Sequence, residues 1–208
     1  MEPRTGIRMA EEMLMDWEAA YQQGDMPWNK GTCAPELDFA LKEAPLAGRV
    51  LVPGCGLGHD ARAIAAAGLG EVLGLDVAPS AVIAASQIPG PVNLRFELGD
   101  LFALPQGLTA RFDWVWEHTC FCAIPMEMRD SYVEAVWKAL HSGGQLLGVF
   151  YLDPKMDERE SGPPFGVTRR ELDQYFGARF EVVREWAPRA AFPGREGREW
   201  VRLMRRRE

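Results

Sequence analysis

The sequence predicts an α/β fold: a seven-stranded, mostly parallel sheet with helices on both faces and an antiparallel strand at one edge. Three observations carry this. From residue 49 short apolar runs alternate with helical segments, the rhythm of a parallel sheet. A glycine-rich turn joins the first of those runs to the first helix. Two further strand-like runs close the chain without a long helix between them, so they can pair antiparallel.

Ahead of the sheet, Met9, Met13, Trp17 and Tyr21 recur every four residues, the spacing of an amphipathic helix that Gly24 ends. Pro27-Trp28-Asn29-Lys30-Gly31 is a turn-rich loop, and a short helix covers 35–43 with Pro35 in its first turn. The rhythm then runs as strand 49–52, helix 59–67, strand 71–75 ending in Asp76, helix 79–87 opened by Pro79, strand 93–98 followed by Gly99-Asp100, and strand 111–116. A long helix spans 126–140 and stops near Ser142-Gly143-Gly144, before strand 145–152. A charged, proline-rich loop over 153–164 is either a lid or a solvated connection. Thr168 with Glu171 three residues on marks a helix start, and strands at 179–186 and 199–204 follow. The expectation is one domain over 1–208, with residues 1–45 as a helical cover and 46–208 as the core.

Composition narrows the function. The chain has 208 residues, a net charge of −7 and a pI near 5.1. Such an acidic balance disfavours both nucleic acid and anionic membrane surfaces as partners. No apolar run approaches the roughly 18 residues of a membrane span, and the first residues lack the apolar stretch of a signal peptide. Four cysteines are too few for a disulfide scaffold. These features fit a reduced, cytoplasmic protein, expected to act as a monomer on a small molecule.

The most informative stretch is Pro53-Gly54-Cys55-Gly56-Leu57-Gly58-His59. Glycines between a strand and a helix let the chain turn tightly and let a ligand approach the backbone. Asp76, about 20 residues on at the end of the second strand, is placed to accept hydrogen bonds from ribose hydroxyls. A dinucleotide site wants a further glycine where this chain has His59, and no Gly-Lys-Ser/Thr follows as in a phosphate loop. The Gly-x-Gly-x-Gly spacing resembles that of S-adenosylmethionine sites. Asp100 is either a contact for the adenine amino group, with Leu101 and Phe102 flanking the ring, or a turn former after Gly99. Trp17 and Tyr21 share one helix face, which suits core packing or contact with a cation; Trp28, in a polar loop, is harder to explain as core.

Taken together, these stretches resemble the thiopurine S-methyltransferase superfamily, nearest its thiol and halide methyltransferases. The resemblance rests on Leu51-Val52-Pro53 before the glycine loop, His59-Asp60 after it, Pro27-Trp28-Asn29-Lys30-Gly31, Gly99-Asp100-Leu101-Phe102, Phe121-Cys122-Ala123-Ile124 and Gly162-Pro163-Pro164-Phe165. It covers nearly the whole chain and weakens after about residue 185. It implies a class I methyltransferase, Rossmann-like fold, S-adenosylmethionine as cofactor, and methyl transfer to a thiol, sulfide or halide. It also implies that Trp17, Tyr21 and Trp28 cover the cofactor. Two positions depart from the family: Tyr21 where tryptophan is common, and His118 where tyrosine is common. Acceptors with oxygen, nitrogen or heterocyclic sulfur therefore stay open, as does a non-catalytic cofactor-binding module.

Such a reaction needs no dedicated base for a halide, and a thiol is a few per cent ionised at neutral pH. If a base exists, His118 is the candidate; it also lies where class I enzymes meet the methionine part of the cofactor. Tyr151, at the end of the fifth strand, could orient the acceptor or pack in the core, and Phe165 could wall the pocket. The cofactor set is thus Trp17, Tyr21, Trp28, Gly54, Gly56, Asp76, Asp100, Leu101 and His118. His118, Cys120 and Cys122 are too closely spaced for a tetrahedral metal, so no metal is expected. Arg205-Arg206-Arg207 reads as a solvated terminus.

Overall fold

A computed structural model describes residues 15–152 and 162–208. Met9, Met13 and most of the 153–164 loop lie outside that range. The helices are α1 (Trp17–Gln23), α2 (Leu37–Glu43), α3 (His59–Ala66), α4 (Pro79–Gln87), α5 (Arg129–Ala139) and α6 (Arg169–Phe176). The strands are β1 (Gly48–Pro53), β2 (Gly70–Asp76), β3 (Leu94–Leu98), β4 (Phe112–His118), β5 (Leu140–Tyr151), β6 (Phe180–Trp186) and β7 (Glu199–Arg206).

The seven strands form one sheet in the order β3-β2-β1-β4-β5-β7-β6. Pairings from β3 through β5 are parallel, and β7 is antiparallel to both of its neighbours. The antiparallel strand is therefore β7, inserted one place in from the edge that β6 occupies. Strand order reverses between β1 and β4, and open α/β sheets bind ligands in the crevice at such a point.

Alternation along each strand builds the two faces. Leu51, Val115, Leu146, Phe150 and Met204 join one buried cluster with Tyr132, Val133 and Val136 of α5 and Leu172 and Phe176 of α6. Val50, Val52, Trp116, Leu147, Val149 and Val201 join the other with Leu37 and Ala40 of α2 and Ala61, Ile64 and Ala65 of α3. Several element ends are set locally. Gly24 closes α1 in the left-handed conformation at φ +73°, and Pro79 opens α4. Several ends differ from expectation: α5 begins three residues later, at Arg129, and β7 runs two residues further, to Arg206, so Arg205 and Arg206 belong to that strand rather than to a solvated terminus. The long helix stops at Ala139, and β5 begins at Leu140, through Gly143 and Gly144, because Leu140 pairs with Phe112. β4 runs two residues further than expected, to His118.

At α6 the Thr168 hydroxyl accepts from Glu171 N at 3.2 Å while Thr168 N donates to the Glu171 carboxylate at 2.8 Å, a complete capping box. Thr168→Ala should cost about 1 kcal/mol in chemical denaturation, and Thr168→Ser should recover most of it. An unchanged midpoint would mean the cap contributes nothing to global stability.

Candidate functional site

A cavity of about 890 Å³ opens at the carboxyl ends of β1, β2, β3 and β4. Its floor is the loop after β1. Gly54 (φ +57°) and Gly56 (φ +53°) hold backbone conformations that side chains rarely adopt. A Cβ on Gly54 would lie 2.9 Å from Cys120 Sγ, and one on Gly56 2.8 Å from the Tyr21 hydroxyl. The loop is thus a bare backbone cradle that only glycine can form. Asp76 ends β2 beside it, 7% exposed. Its Oδ2 accepts from Gly56 N at 2.7 Å and its Oδ1 from Ala78 N at 3.0 Å. Burial pushes its carboxyl up despite these bonds. Asp100 lines the cavity and also serves the turn, its Oδ1 accepting from Phe102 N at 2.8 Å; Leu101 lies beside it, largely buried.

The roof comes from α1 and the loop after it. Trp28 meets Trp17 edge-on with ring centres 5.1 Å apart, and Tyr21 at 5.8 Å. Trp28 Nε1 donates to the Tyr21 hydroxyl at 3.3 Å. Burial, with the Asp76 charge adding to it, pushes the Tyr21 phenol up to about 12, so it stays protonated. Two polar links tie this roof to the core. Ser80 at the start of α4 donates through its N (2.9 Å) and Oγ (2.6 Å) to Glu18, and His59 Nε2 lies 3.1 Å from Asn29 Oδ1. Neither link has a local sequence signal, because each joins side chains far apart in the chain.

The opposite wall begins at the end of β4. His118 Nδ1 is 3.0 Å from Asp60 Oδ2, which also accepts from Trp116 Nε1 at 2.8 Å; Asp60 Oδ1 accepts from Ala34 N at 2.7 Å. Burial alone would lift Asp60, but the His118 charge and these bonds outweigh it and hold the carboxyl below the usual range. Burial alone would depress His118, but Asp60 outweighs it and raises the imidazole. Phe192 stacks on the imidazole with ring centres 6.2 Å apart. Arg195 completes this wall, paired with Glu199 at 3.3 Å.

Cys120 and Cys122 also face the cavity, and burial pushes both thiols up, Cys122 to about 12. Arg129, fully buried, donates to the Phe165 and Gly166 carbonyls at 2.8 and 3.1 Å, while Phe165 N donates to the Cys122 carbonyl. That anchoring brings Pro163 and Pro164, rather than Phe165, to the cavity.

Trp17, Tyr21, Trp28, Gly54, Gly56, Asp76, Asp100, Leu101 and His118 all line this one cavity. Tyr151 does not; its ring lies under the guanidinium groups of Arg195 and Arg198, at 5.4 and 5.2 Å. Among the described residues, Tyr151 meets the cavity wall through Arg195. Sequence reasoning passed over three residues of this opposite wall. Asp60 had a faint signal, an acid beside the glycine loop. Phe192 and Arg195 had none, because the β6–β7 connection reaches the cavity only through the insertion of β7.

The thiopurine S-methyltransferase (TPMT) family model matches residues 13–199. A probable thiol methyltransferase 2 of Arabidopsis thaliana is 31% identical over 171 residues, covering 80% of this chain and 73% of that protein. Thiocyanate methyltransferase 1 of the same plant is 30% identical over 189 residues, covering 88% and 81%. Among solved structures, the Burkholderia thailandensis 1,6-didemethyltoxoflavin-N1-methyltransferase, crystallised with S-adenosylhomocysteine, superposes with a TM-score of 0.67 at 19% identity, covering 91% of this chain and 84% of that one. That last likeness concerns the fold alone. With a family match spanning nearly all of a chain whose glycine cradle, strand-end acids and aromatic roof meet in one crevice, this protein is a member of the thiopurine S-methyltransferase family and an S-adenosylmethionine-dependent methyltransferase.

Proposed function

We propose that this protein transfers the methyl group of S-adenosylmethionine to a small soft nucleophile: a thiol, sulfide or halide. The observation that carries the reading is that one cavity is lined both by the glycine cradle with Asp76 and Asp100 and by the apolar side chains of Phe192, Pro163, Pro164 and Ile124. The residues fit the cofactor. The Gly54–Gly56 backbone leaves room that a Cβ would fill, Asp76 suits the ribose, and Asp100 with Leu101 suits the adenine. Trp17, Tyr21 and Trp28 supply aromatic faces suited to a sulfonium. Bound there, the cofactor supplies an electrophilic methyl group, which the acceptor takes by in-line displacement.

The chain's own contribution is to position and to dry. Phe192, Pro163, Pro164 and Ile124 line the acceptor end and offer few hydrogen bonds to water. An anionic nucleophile gains reactivity in such surroundings, because its charge is lost as the new bond forms. Arg195, its guanidinium paired with Glu199, lines the same wall. The raised thiols of Cys120 and Cys122 keep these residues from competing as nucleophiles. We place the activity in a single domain, residues 1–45 covering a core at 46–208. The protein would work as a cytoplasmic monomer; four free cysteines support a reduced setting. No helix among the described residues is long and apolar enough to cross a membrane.

The test is to incubate the protein with S-adenosylmethionine and a panel of thiols, sulfide, iodide, alcohols and amines, following S-adenosylhomocysteine and methylated products by mass spectrometry. Methylated thiols or iodide should dominate. Preferred methylation of hydroxyl or amine acceptors would overturn the choice of acceptor.

A further inference from the structure

Asp60 is an acid on the cavity wall beside His118. Its side chain is 13% exposed and each of its oxygens is engaged, with Ala34 N on Oδ1 and with Trp116 Nε1 and His118 Nδ1 on Oδ2. Two of those donors are rigid: a backbone N–H and the indole of a fully buried tryptophan. Asp60 therefore cannot follow the imidazole; the imidazole is held by Asp60. With Nδ1 committed, His118 has one other ring nitrogen, Nε2. Among the described residues Nε2 makes no hydrogen bond, and the side chain keeps 10% of its surface on the cavity wall.

We propose, building on the methyl-transfer reading, that Asp60 is a positioning residue that fixes His118 with Nε2 as proton acceptor, so that this site is built for neutral thiols rather than for halide or thiocyanate anions. The acceptor's S–H proton passes to Nε2. The electron pair left on that sulfur forms the new S–CH3 bond, and the old carbon–sulfur bond breaks with its electrons staying on the departing thioether. Asp60 stabilises the imidazolium that results and holds the tautomer that can accept a proton, the part an acid plays behind a catalytic histidine. An anion with no proton to lose gains nothing from the pair.

The charged groups around His118 agree with this. Asp60 bonds it from α3; Glu199 of β7 favours the imidazolium, and Arg195 of the β6–β7 connection opposes it while paired with Glu199. Glu117, the preceding residue, also favours it but is turned into the core toward Tyr132. Asp60 is the only one of these in hydrogen-bond contact with the ring among the described residues.

Two measurements test the pair. The chain has three histidines, so imidazole resonances can be assigned by substitution and titrated by NMR without cofactor. In Asp60→Asn the His118 titration should fall by about one to two pH units, and its neutral form should lose its preference for a proton on Nδ1. In the loaded enzyme, the ratio of thiol to iodide methylation should fall about 100-fold in Asp60→Asn, the usual scale of general-base catalysis. The pH profile for thiols should move with the NMR value. If Asp60→Asn fails to fold, His118→Gln should lower the same ratio. Thiol and iodide rates falling together, or a titration that Asp60→Asn does not move, would overturn the pair while leaving methyl transfer intact. A wild-type protein inactive on every acceptor would overturn both.

Discussion

Asp76→Ala should weaken S-adenosylmethionine binding at least about thirty-fold in calorimetry, a loss of about 2 kcal/mol. Two effects act together. The substitution removes the carboxylate proposed to accept from the ribose, and bonds to a charged acceptor are the stronger class. It also frees Gly56 N and Ala78 N, which now donate to Oδ2 and Oδ1. Gly56 sits in a left-handed conformation with the Tyr21 hydroxyl close above it, so losing its anchor loosens the cradle as well as the contact. Asp76→Asn separates the two effects. Its amide keeps one acceptor oxygen for the loop but turns an NH2 toward the other N–H, so its loss should be smaller than that of alanine. An affinity unchanged in both variants would mean that the ribose does not lie against Asp76.

The ease with which this crevice can be traced from the sequence has a physical basis. Strands buried on both faces read as unbroken apolar runs, as at Val50–Val52 and Leu146–Val149, and their chain-adjacent turns carry the ligand-facing residues. Gly54, Gly56, Asp76, Asp100 and His118 each follow or end a strand, so locating the strands locates the cavity. What stays hidden depends on pairing across the chain. Gly143-Gly144 looks like a break, yet the register of Leu140 with Phe112 carries β5 through it. Tyr151 ends a strand as His118 does, but the adjoining β7 brings Arg195 and Arg198 over its ring. Asp60 is separated from His118 by 58 residues, and the contact exists only because α3 packs over the end of β4.

Glu117 shows how much stability is held in the turn that presents His118, and Glu117→Ala should be the most destabilising change at this site, by about 3–5 kcal/mol. The side chain is 1% exposed. Its Oε1 accepts from Cys120 N at 3.0 Å and Phe121 N at 2.8 Å, and its Oε2 from the buried Tyr132 hydroxyl. Burial pushes its carboxyl up even against these bonds, so the group resides there at a cost that the turn must offset. What the turn gains is its shape. Thr119 sits at φ +67°, a conformation unfavourable for a β-branched residue, and the two N–H groups just after it are the ones Glu117 holds. Alanine leaves three buried donors without an acceptor and frees Thr119 to relax. At about 2–4 °C per kcal/mol for a chain of this size, the melting temperature should fall by roughly 10 °C. Glu117→Gln keeps an oxygen for the two backbone groups and offers its NH2 to the Tyr132 oxygen, so it should retain most of that stability. A melting temperature unmoved by Glu117→Ala would show that water replaces the carboxylate in the turn, and that the conformation of Thr119 is set by the packing of Phe121 against Tyr132 and Phe150 instead.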